Sequence, residues 1–173
     1  NNFDGFIYLA DTGLFDPDDG LPVRVWTQSD ARFRGIEGEA TFHLIDDATG
    51  KYDIRVFGDR VLATRDDGSH LPRIPAARLG TEFRWTGNAW RAGLGIVHTG
   101  AQDDVDAFET PTDGYTMINA DVAYTFINNE RGSWEAFLQG SNLSNQDARL
   151  ATSVVKDLVP MPGRNLSFGL RVY

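Results

Sequence analysis

Apolar and polar residues alternate along many segments of this chain, and a period of two restricts such segments to β-strands with one apolar face. The clearest case covers residues 116–126, where Ile118 and Val122 share one face while Asn119 and Asp121 share the other. Successive side chains of a strand point to opposite sides, so this segment separates an apolar face from a polar one. The chain is therefore predicted to be all-β.

The same alternation recurs from end to end and predicts about eight strands in an antiparallel up-and-down meander. One strand is long, covers residues 23–45 and is bent by a bulge near Gly35. The other strands cover residues 3–10, 79–85, 90–97, 116–126, 134–143 and 165–173, together with one strand that begins with the alternation of residues 52–56 and ends before the connection at Thr64.

The connections between these strands alternate in length. The short ones are residues 46–50, 86–89 and 128–133, and the long ones are residues 11–21, 64–77, 100–114 and 144–164. Tight turns at one end and long loops at the other are typical of outer-membrane barrels, and a soluble barrel does not require this asymmetry between its two ends. We therefore predict a strand block of a transmembrane barrel.

In such a barrel alternate side chains face lipid and the wet lumen. The residues predicted to face lipid are Phe83, Leu94, Ile96, Ile118, Val122 and Tyr124. Those predicted to face the lumen are Glu82, Arg84, Arg91, Asn119 and Asp121. The charged residues expected to pair across neighbouring strands are Glu37, Glu39, Asp53, Arg55, Glu82, Arg84, Arg91, Asp121 and Glu135.

Large aromatic residues gather near the short turns. They are Tyr52, Trp85, Trp90, Phe126, Trp134 and, at the chain end, Tyr173. Amphipathic aromatic rings collect at the headgroup level of a bilayer, so these residues predict a ring at the membrane surface. The other interpretation is that aromatic residues favour strands and close off a soluble core.

Composition excludes several functions. The 173 residues suffice for one ordered domain, and 25 acidic residues outnumber 16 basic ones, so nucleic acid is not an expected partner. The chain has no cysteine, which excludes a disulfide scaffold, a Cys-ligated metal and a cysteine nucleophile. Serine, histidine and aspartate form no recognised nucleophile motif, so we do not expect an enzyme. No apolar run approaches the roughly 18 residues of a membrane helix.

Five short segments, in this order along the chain, carry a family resemblance. They are residues 33–39 (FRGIEGE), residues 71–75 (LPRIP) before Arg78 and Leu79, residues 114–116 (GYT) with Asn119 and Ala120, residues 140–143 (GSNL) with Asn145, and residues 162–165 (PGRN). Together they resemble the C-terminal barrel of TonB-dependent outer-membrane receptors. Residues 43–46 (HLID), and Tyr52 and Asp53 through the LPRIP segment, resemble a branch of that family associated with zinc acquisition.

This resemblance implies a plugged barrel of about 22 strands that imports scarce metal complexes with energy relayed by TonB. Residues 1–173 are then the C-terminal portion of the barrel, without the plug domain, and are a fragment or a processed product, since the chain begins at Asn1 with neither Met nor a signal peptide. The resemblance also implies location in the bacterial outer membrane. The implied partners are the lipid bilayer and lipopolysaccharide, TonB through the missing N-terminal part, and the barrel-assembly machinery.

Two other interpretations remain open. The chain is a complete small eight-stranded outer-membrane barrel with a structural or adhesive role, or it is a soluble ligand-binding barrel with its apolar residues inside. Alternation does not separate them, because it reveals two faces without saying which is inside.

The end of the chain supports a narrower prediction. The apolar face of the last strand holds Leu166, Phe168, Leu170 and Val172, so Tyr173 is predicted to point inward. Outer-membrane barrels resemble one another in closing with an aromatic residue on the lipid face. We therefore predict that the natural gene encodes a Phe or Trp after Tyr173.

Acidic residues crowd the long loop that follows His98. The candidate substrate-binding residues are His70, His98, Asp103, Asp104, Asp106 and Glu109. Among them His98, Asp103 and Asp106 are candidate metal ligands, because imidazole and carboxylate oxygens suit zinc or another divalent cation. The chain has neither an HxxxH pair nor an EF-hand pattern, and an acidic loop is usually just a solvated surface. No cofactor is expected, and zinc or a metal complex is predicted only as transported ligand.

Overall fold

The computed structural model describes residues 1–129 and 132–173, which form one eight-stranded antiparallel sheet. The strands are β1 (Asn2–Phe15), β2 (Pro22–Asp47), β3 (Gly50–Arg65), β4 (Arg78–Thr86), β5 (Trp90–Thr99), β6 (Tyr115–Asn129), β7 (Gly132–Ser141) and β8 (Asn165–Val172). Each strand pairs with the next one along the chain, so the sheet is an up-and-down meander. This order confirms the predicted all-β fold. The described residues include no helix long and apolar enough to cross a membrane.

Short turns lie at one end of the sheet and long loops at the other, as predicted. The predicted turn 128–133 includes residues 130 and 131, which lie outside the described residues. The predicted loop 11–21 is wrong in extent, because β1 continues to Phe15 and only residues 16–21 connect it to β2. β1 pairs with β2 at Asp11 opposite Arg24 and again at Phe15 opposite Pro22, and the register is interrupted between these two pairs. Gly13, with φ 75°, lies in this interruption. Because alternation is lost there, the sequence pattern did not reveal the end of β1.

The predicted bulge near Gly35 is also wrong. β2 keeps a continuous register with β3 from Ala31 to His43, and the irregularity lies between His43 and Ile45. Gly35 instead permits a close approach of backbones, because a Cβ atom there would lie 3.1 Å from the carbonyl oxygen of Arg60.

The pairing register shows which side chains share a face. Directly opposite residues of antiparallel strands lie on the same side, and Phe83 opposes Leu94 while Ile96 opposes Ile118. The predicted apolar face is therefore one continuous surface, and its large side chains are exposed, up to 87% for Phe168. A soluble barrel with its apolar residues inside would bury this surface.

The sheet is open. β1 and β8 form its two edges, and within the described residues they make no pairing with each other. A complete small barrel requires its first and last strands to pair, because closure is what removes the edges. The arrangement therefore differs from that of a closed eight-stranded barrel.

The aromatic side chains lie next to the short turns, as predicted, and neighbouring rings contact one another there. The ring centroids of Tyr52 and Trp85 are 6.3 Å apart, and those of Phe126 and Trp134 are 6.4 Å apart. Trp85 also donates a hydrogen bond from Nε1 to the carbonyl oxygen of Thr49 at 3.1 Å. An indole that is apolar on one side and hydrogen-bonded at its edge suits the boundary between lipid and water.

A small core lies at the opposite end, where the long loops leave the sheet. Leu71 is 1% exposed and packs on Ala31 of β2 and Ala63 of β3, with Phe6, Tyr8, Phe33 and Ile74 around them. The loop that follows β3 is thereby fixed against the polar face of the sheet, and this attachment positions the loops described next.

Candidate binding site at the long-loop end

Charged residues on the polar face of the sheet pair across strands, as the sequence predicts for a wet lumen. Arg55 lies between Glu39 at 2.6 Å and Glu82 at 3.3 Å, and Glu135 accepts hydrogen bonds from Arg91 and Arg171. Glu39, Arg55 and Glu82 lie on the neighbouring strands β2, β3 and β4, so Arg55 links its own strand to the strand on each side. The pairing prediction is confirmed for these residues.

Two phenylalanines on the same face cover glycines of the neighbouring strand, which the sequence analysis missed. Phe57 lies over Gly80 and Phe137 lies over Gly169. A guanidinium lies over each of these rings. Arg55 is 4.5 Å from the centroid of Phe57, and Arg171 is 4.1 Å from the centroid of Phe137. An aromatic residue opposite a glycine on a paired strand was the available signal, but it is visible only once the register is known.

The acidic loop of residues 100–114 folds back onto the sheet through Asp106. Arg65, at the end of β3, donates from Nη2 to Asp106 Oδ1 at 2.7 Å. The same guanidinium donates to the hydroxyl of Tyr8 at 3.0 Å and to Ser69 at 2.6 Å. Asp106 is therefore a structural anchor for its loop.

Glu109 ties three long loops together. Lys156 donates from Nζ to Glu109 Oε1 at 2.7 Å, and these two side chains are only 5% and 3% exposed. The backbone N–H of Arg73 donates to both oxygens of the same carboxylate at 3.1 Å. Residues from the loops 66–77, 100–114 and 142–164 thus meet at a single buried acid.

Asp11 of β1 holds a second, partly buried group of charges. Arg24 donates from Nε to Asp11 Oδ1 at 2.6 Å, and Arg73 donates from Nη1 to Asp11 Oδ2 at 3.2 Å. Arg24 also donates to the carbonyl oxygen of Val154 at 2.9 Å, which attaches the longest loop to the first hairpin.

The six predicted site residues do not converge on one point. His98 lies on the apolar face, opposite Leu79, and its Nδ1 is 3.0 Å from the hydroxyl of Thr116. His70 and Asp104 approach each other at 3.7 Å, and both are partly exposed.

Asp106 and Glu109 are held in the ion pairs described above, and Asp103 accepts a bond from the Val105 N–H through its backbone oxygen. Within residues 1–129 and 132–173, no three His, Asp or Glu side chains are grouped as a metal would require. Metal binding by His98, Asp103 and Asp106 stays a prediction.

One loop acid has a shifted titration. The pKa of Asp67 is lowered from its ordinary value of 3.8 because the Ser69 hydroxyl and backbone N–H donate hydrogen bonds to its carboxylate. Hydrogen bonds to the ionised form favour it over the protonated form.

A cavity of about 450 Å³ lies between the end of the first hairpin and the two longest loops. Part of its lining is charged and contains Asp11, Arg24, Arg73, Glu109, Lys156 and Asp157. Another part is apolar and contains Leu14, Phe15, Leu21, Phe108, Val154 and Val155. Sequence patterns could not reveal this cavity, because its lining residues come from four distant segments of the chain.

Comparison with known proteins identifies the architecture. The family described as "TonB dependent receptor-like, beta-barrel" matches residues 1–143. Among solved structures, the chain is similar to one named copper transporter OprC, with a TM-score of 0.75 and 17% sequence identity. The match covers 98% of this chain and 27% of the OprC chain, so the likeness shows the fold of one part of that protein.

Proposed function

Because the chain belongs to the TonB-dependent receptor-like β-barrel family and is an outer-membrane protein, we propose that it is the C-terminal strand block of a receptor that imports a metal ion or a metal complex. The observation that carries this proposal is the open sheet with an exposed apolar face. In lipid, an unpaired strand edge would leave a row of N–H and C=O groups without partners, each costing several kcal/mol. Further strands of the same receptor are therefore proposed to pair with β1 and β8.

A metal cargo is the finer part of the proposal. It is supported by the name of the structural relative, a copper transporter, and by the resemblance of residues 43–46 to a branch associated with zinc. Zinc, copper or a complex of either is thus the proposed substrate. The plug domain and the contact with TonB are proposed to lie in parts of the receptor outside residues 1–173. Lipopolysaccharide and the barrel-assembly machinery are proposed partners.

Metal uptake by cells tests this function directly. We expect deletion of the gene to lower the zinc or copper content of metal-starved cells, measured by mass spectrometry, and the natural full-length gene to restore it. A protonophore should abolish the restored uptake, because TonB-dependent import draws on the inner membrane. Equal zinc, copper and iron contents in all strains would contradict the proposal.

The first contact with the metal is proposed at His70 and Asp104, the partly exposed pair at the long-loop end. In calorimetric titrations of the full-length receptor with zinc and with copper, His70→Ala combined with Asp104→Asn is expected to weaken binding. His43→Ala is the matched control, since it removes an exposed imidazole near the short turn between β2 and β3, at the opposite end of the sheet. Asp106→Asn is unsuitable, because it breaks the ion pair with Arg65. Equal affinities of the double variant and the natural receptor would overturn this assignment.

A further inference from the structure

The cavity at the long-loop end combines features that serve two parts of one small molecule. Its volume of about 450 Å³ is far larger than a bare metal ion requires and is in the range of small-molecule sites. We propose that it binds a free monocarboxylate with an apolar body, at a site separate from the metal cargo.

The charges of the lining favour an anion on one side of the cavity. Two guanidinium groups, those of Arg24 and Arg73, share the single carboxylate of Asp11. The charge of Glu109 is already matched by Lys156. The remaining charged side chain, Asp157, accepts a hydrogen bond from the Thr110 hydroxyl. With Asp157 counted, the six charges of the lining sum to zero. Asp157 forms no ion pair with either arginine, however, so within the described residues Arg24 and Arg73 have only the carboxylate of Asp11 as a counter-charge within 4 Å.

Arg73 also has an unmet hydrogen bond. Its Nη2 is buried and has no partner among the residues that the structure describes, although Nη1 is bonded to Asp11. A buried donor without a partner is costly, and a hydrogen bond to a charged acceptor is among the strongest in proteins. A small rotation of the guanidinium toward a carboxylate in the cavity would give Nη2 a charged acceptor and so remove the cost of the unpaired donor. A cationic ligand would face two arginines instead.

The apolar wall suits the body of the ligand. Phe108 is fixed against Gly13, where a Cβ atom would lie only 2.8 Å from the ring. The backbone of Gly13 has φ 75°, which disfavours any other residue there. Phe15 and Leu21 complete this side and are largely exposed, at 67% and 48%. Covering them with a ligand would remove apolar surface from water, which is favourable in proportion to the area buried.

Calorimetry with a simple probe tests the proposal. The full-length receptor is placed in nanodiscs of zwitterionic lipid, with EDTA present so that no metal contributes, and titrated with 2-naphthoate and with its neutral analogue 2-naphthamide. We expect naphthoate to bind about tenfold more tightly than the amide, because only the carboxylate makes charge-assisted hydrogen bonds.

Two variants locate the site. Arg73→Gln is expected to remove the preference for naphthoate while leaving the amide affinity within about twofold, since the apolar wall is unchanged. The matched control is Arg84→Gln, which removes the same charge from the polar face of β4 and should leave the preference intact. Val155→Trp fills the cavity and should abolish binding of both probes.

The outcomes separate this proposal from the proposed metal import. Absence of naphthoate binding at millimolar concentration, equal affinities for the two probes, or a preference that survives Arg73→Gln would each overturn the carboxylate site and leave the uptake experiment untouched. If Arg73→Gln does not fold, Val155→Trp decides, because naphthoate binding that persists in it would place the probe elsewhere.

Discussion

The eight strands form a wall, and the long loops lie at one end of it. Both the wall and the long-loop end contain cations paired with carboxylates, yet these pairs differ in burial. On the wall, Arg55 and its partners Glu39 and Glu82 are 37%, 53% and 38% exposed. At the loop end, Lys156 and Glu109 are 5% and 3% exposed. Exposed pairs contribute little because water screens them, whereas a buried charge that loses its partner is strongly destabilising. An ion pair on the wall can therefore be removed at little cost in stability, whereas breaking the buried pair in the loops is strongly destabilising.

The largest expected effect breaks the buried pair. Lys156→Met removes the cation that faces the buried carboxyl group of Glu109, and should lower the free energy of opening of the long loops by about 3 to 5 kcal/mol. Hydrogen exchange of residues 100–114 and 142–164 in the full-length receptor measures this change. Arg55→Gln is the control on the wall and should leave exchange in both loops unchanged. Equal protection in Lys156→Met and the natural protein would show that the buried pair does not hold the loops.

The second prediction tests the two faces of the wall. Val122→Arg places a charge on the apolar face and should lower the free energy of unfolding in lipid vesicles by roughly 2 to 4 kcal/mol. Gln139→Arg is the matched control, because Gln139 lies opposite Asp121 on the polar face. Asn119 is less suitable, since its side chain accepts a hydrogen bond from the Asn142 N–H at 2.9 Å. Similar losses in the two variants would contradict the assignment of the apolar face to lipid.

The third prediction concerns packing on the polar face of the wall. A Cβ atom at Gly80 would lie 2.3 Å from the ring of Phe57, so Gly80→Ala should destabilise the sheet by about 1 to 3 kcal/mol through overpacking. At Gly38 the same atom would meet nothing within 4 Å. Gly38→Ala should therefore be neutral or stabilise by up to about 1 kcal/mol. Unfolding in vesicles compares the two, and effects of the same sign would rule out this account of the glycine.

The smallest effect belongs to an exposed loop acid. Because the pKa of Asp67 is lowered in the folded loop, its stabilisation is complete above the ordinary value of 3.8 and disappears as pH falls through the lowered value. Hydrogen exchange at the Ser69 N–H, corrected for the intrinsic rate, should therefore lose protection only below pH 3.8. Asp67→Asn should remove this pH dependence, and a loss of protection already at pH 5 would point to another group.

The strands and their faces could be predicted from the sequence because both depend on local order. A side-chain period of two is a property of neighbouring residues, so the alternation from Thr116 to Tyr124 was enough to define the two faces of β6. The LPRIP segment and its companions likewise carried the family, which the match over residues 1–143 bears out. The errors arose where the pattern is interrupted, as between Asp11 and Phe15.

The candidate site was predicted less well for a different reason. An acidic loop suggests metal ligands, but it cannot show that Asp106 is already paired with Arg65 or that Glu109 is paired with Lys156, 47 residues further along the chain. Nor does the sequence bring Gly13, Arg73, Phe108 and Val154 around one cavity.

What the sequence determined by itself is therefore the β class, the two faces, the ends of the sheet and the family. Only the tertiary structure decided which acids are anchors, which guanidinium groups share a single carboxylate and where a cavity opens. The physical reason is that alternation acts over a few residues, whereas burial and ion pairing depend on loops that meet across the fold.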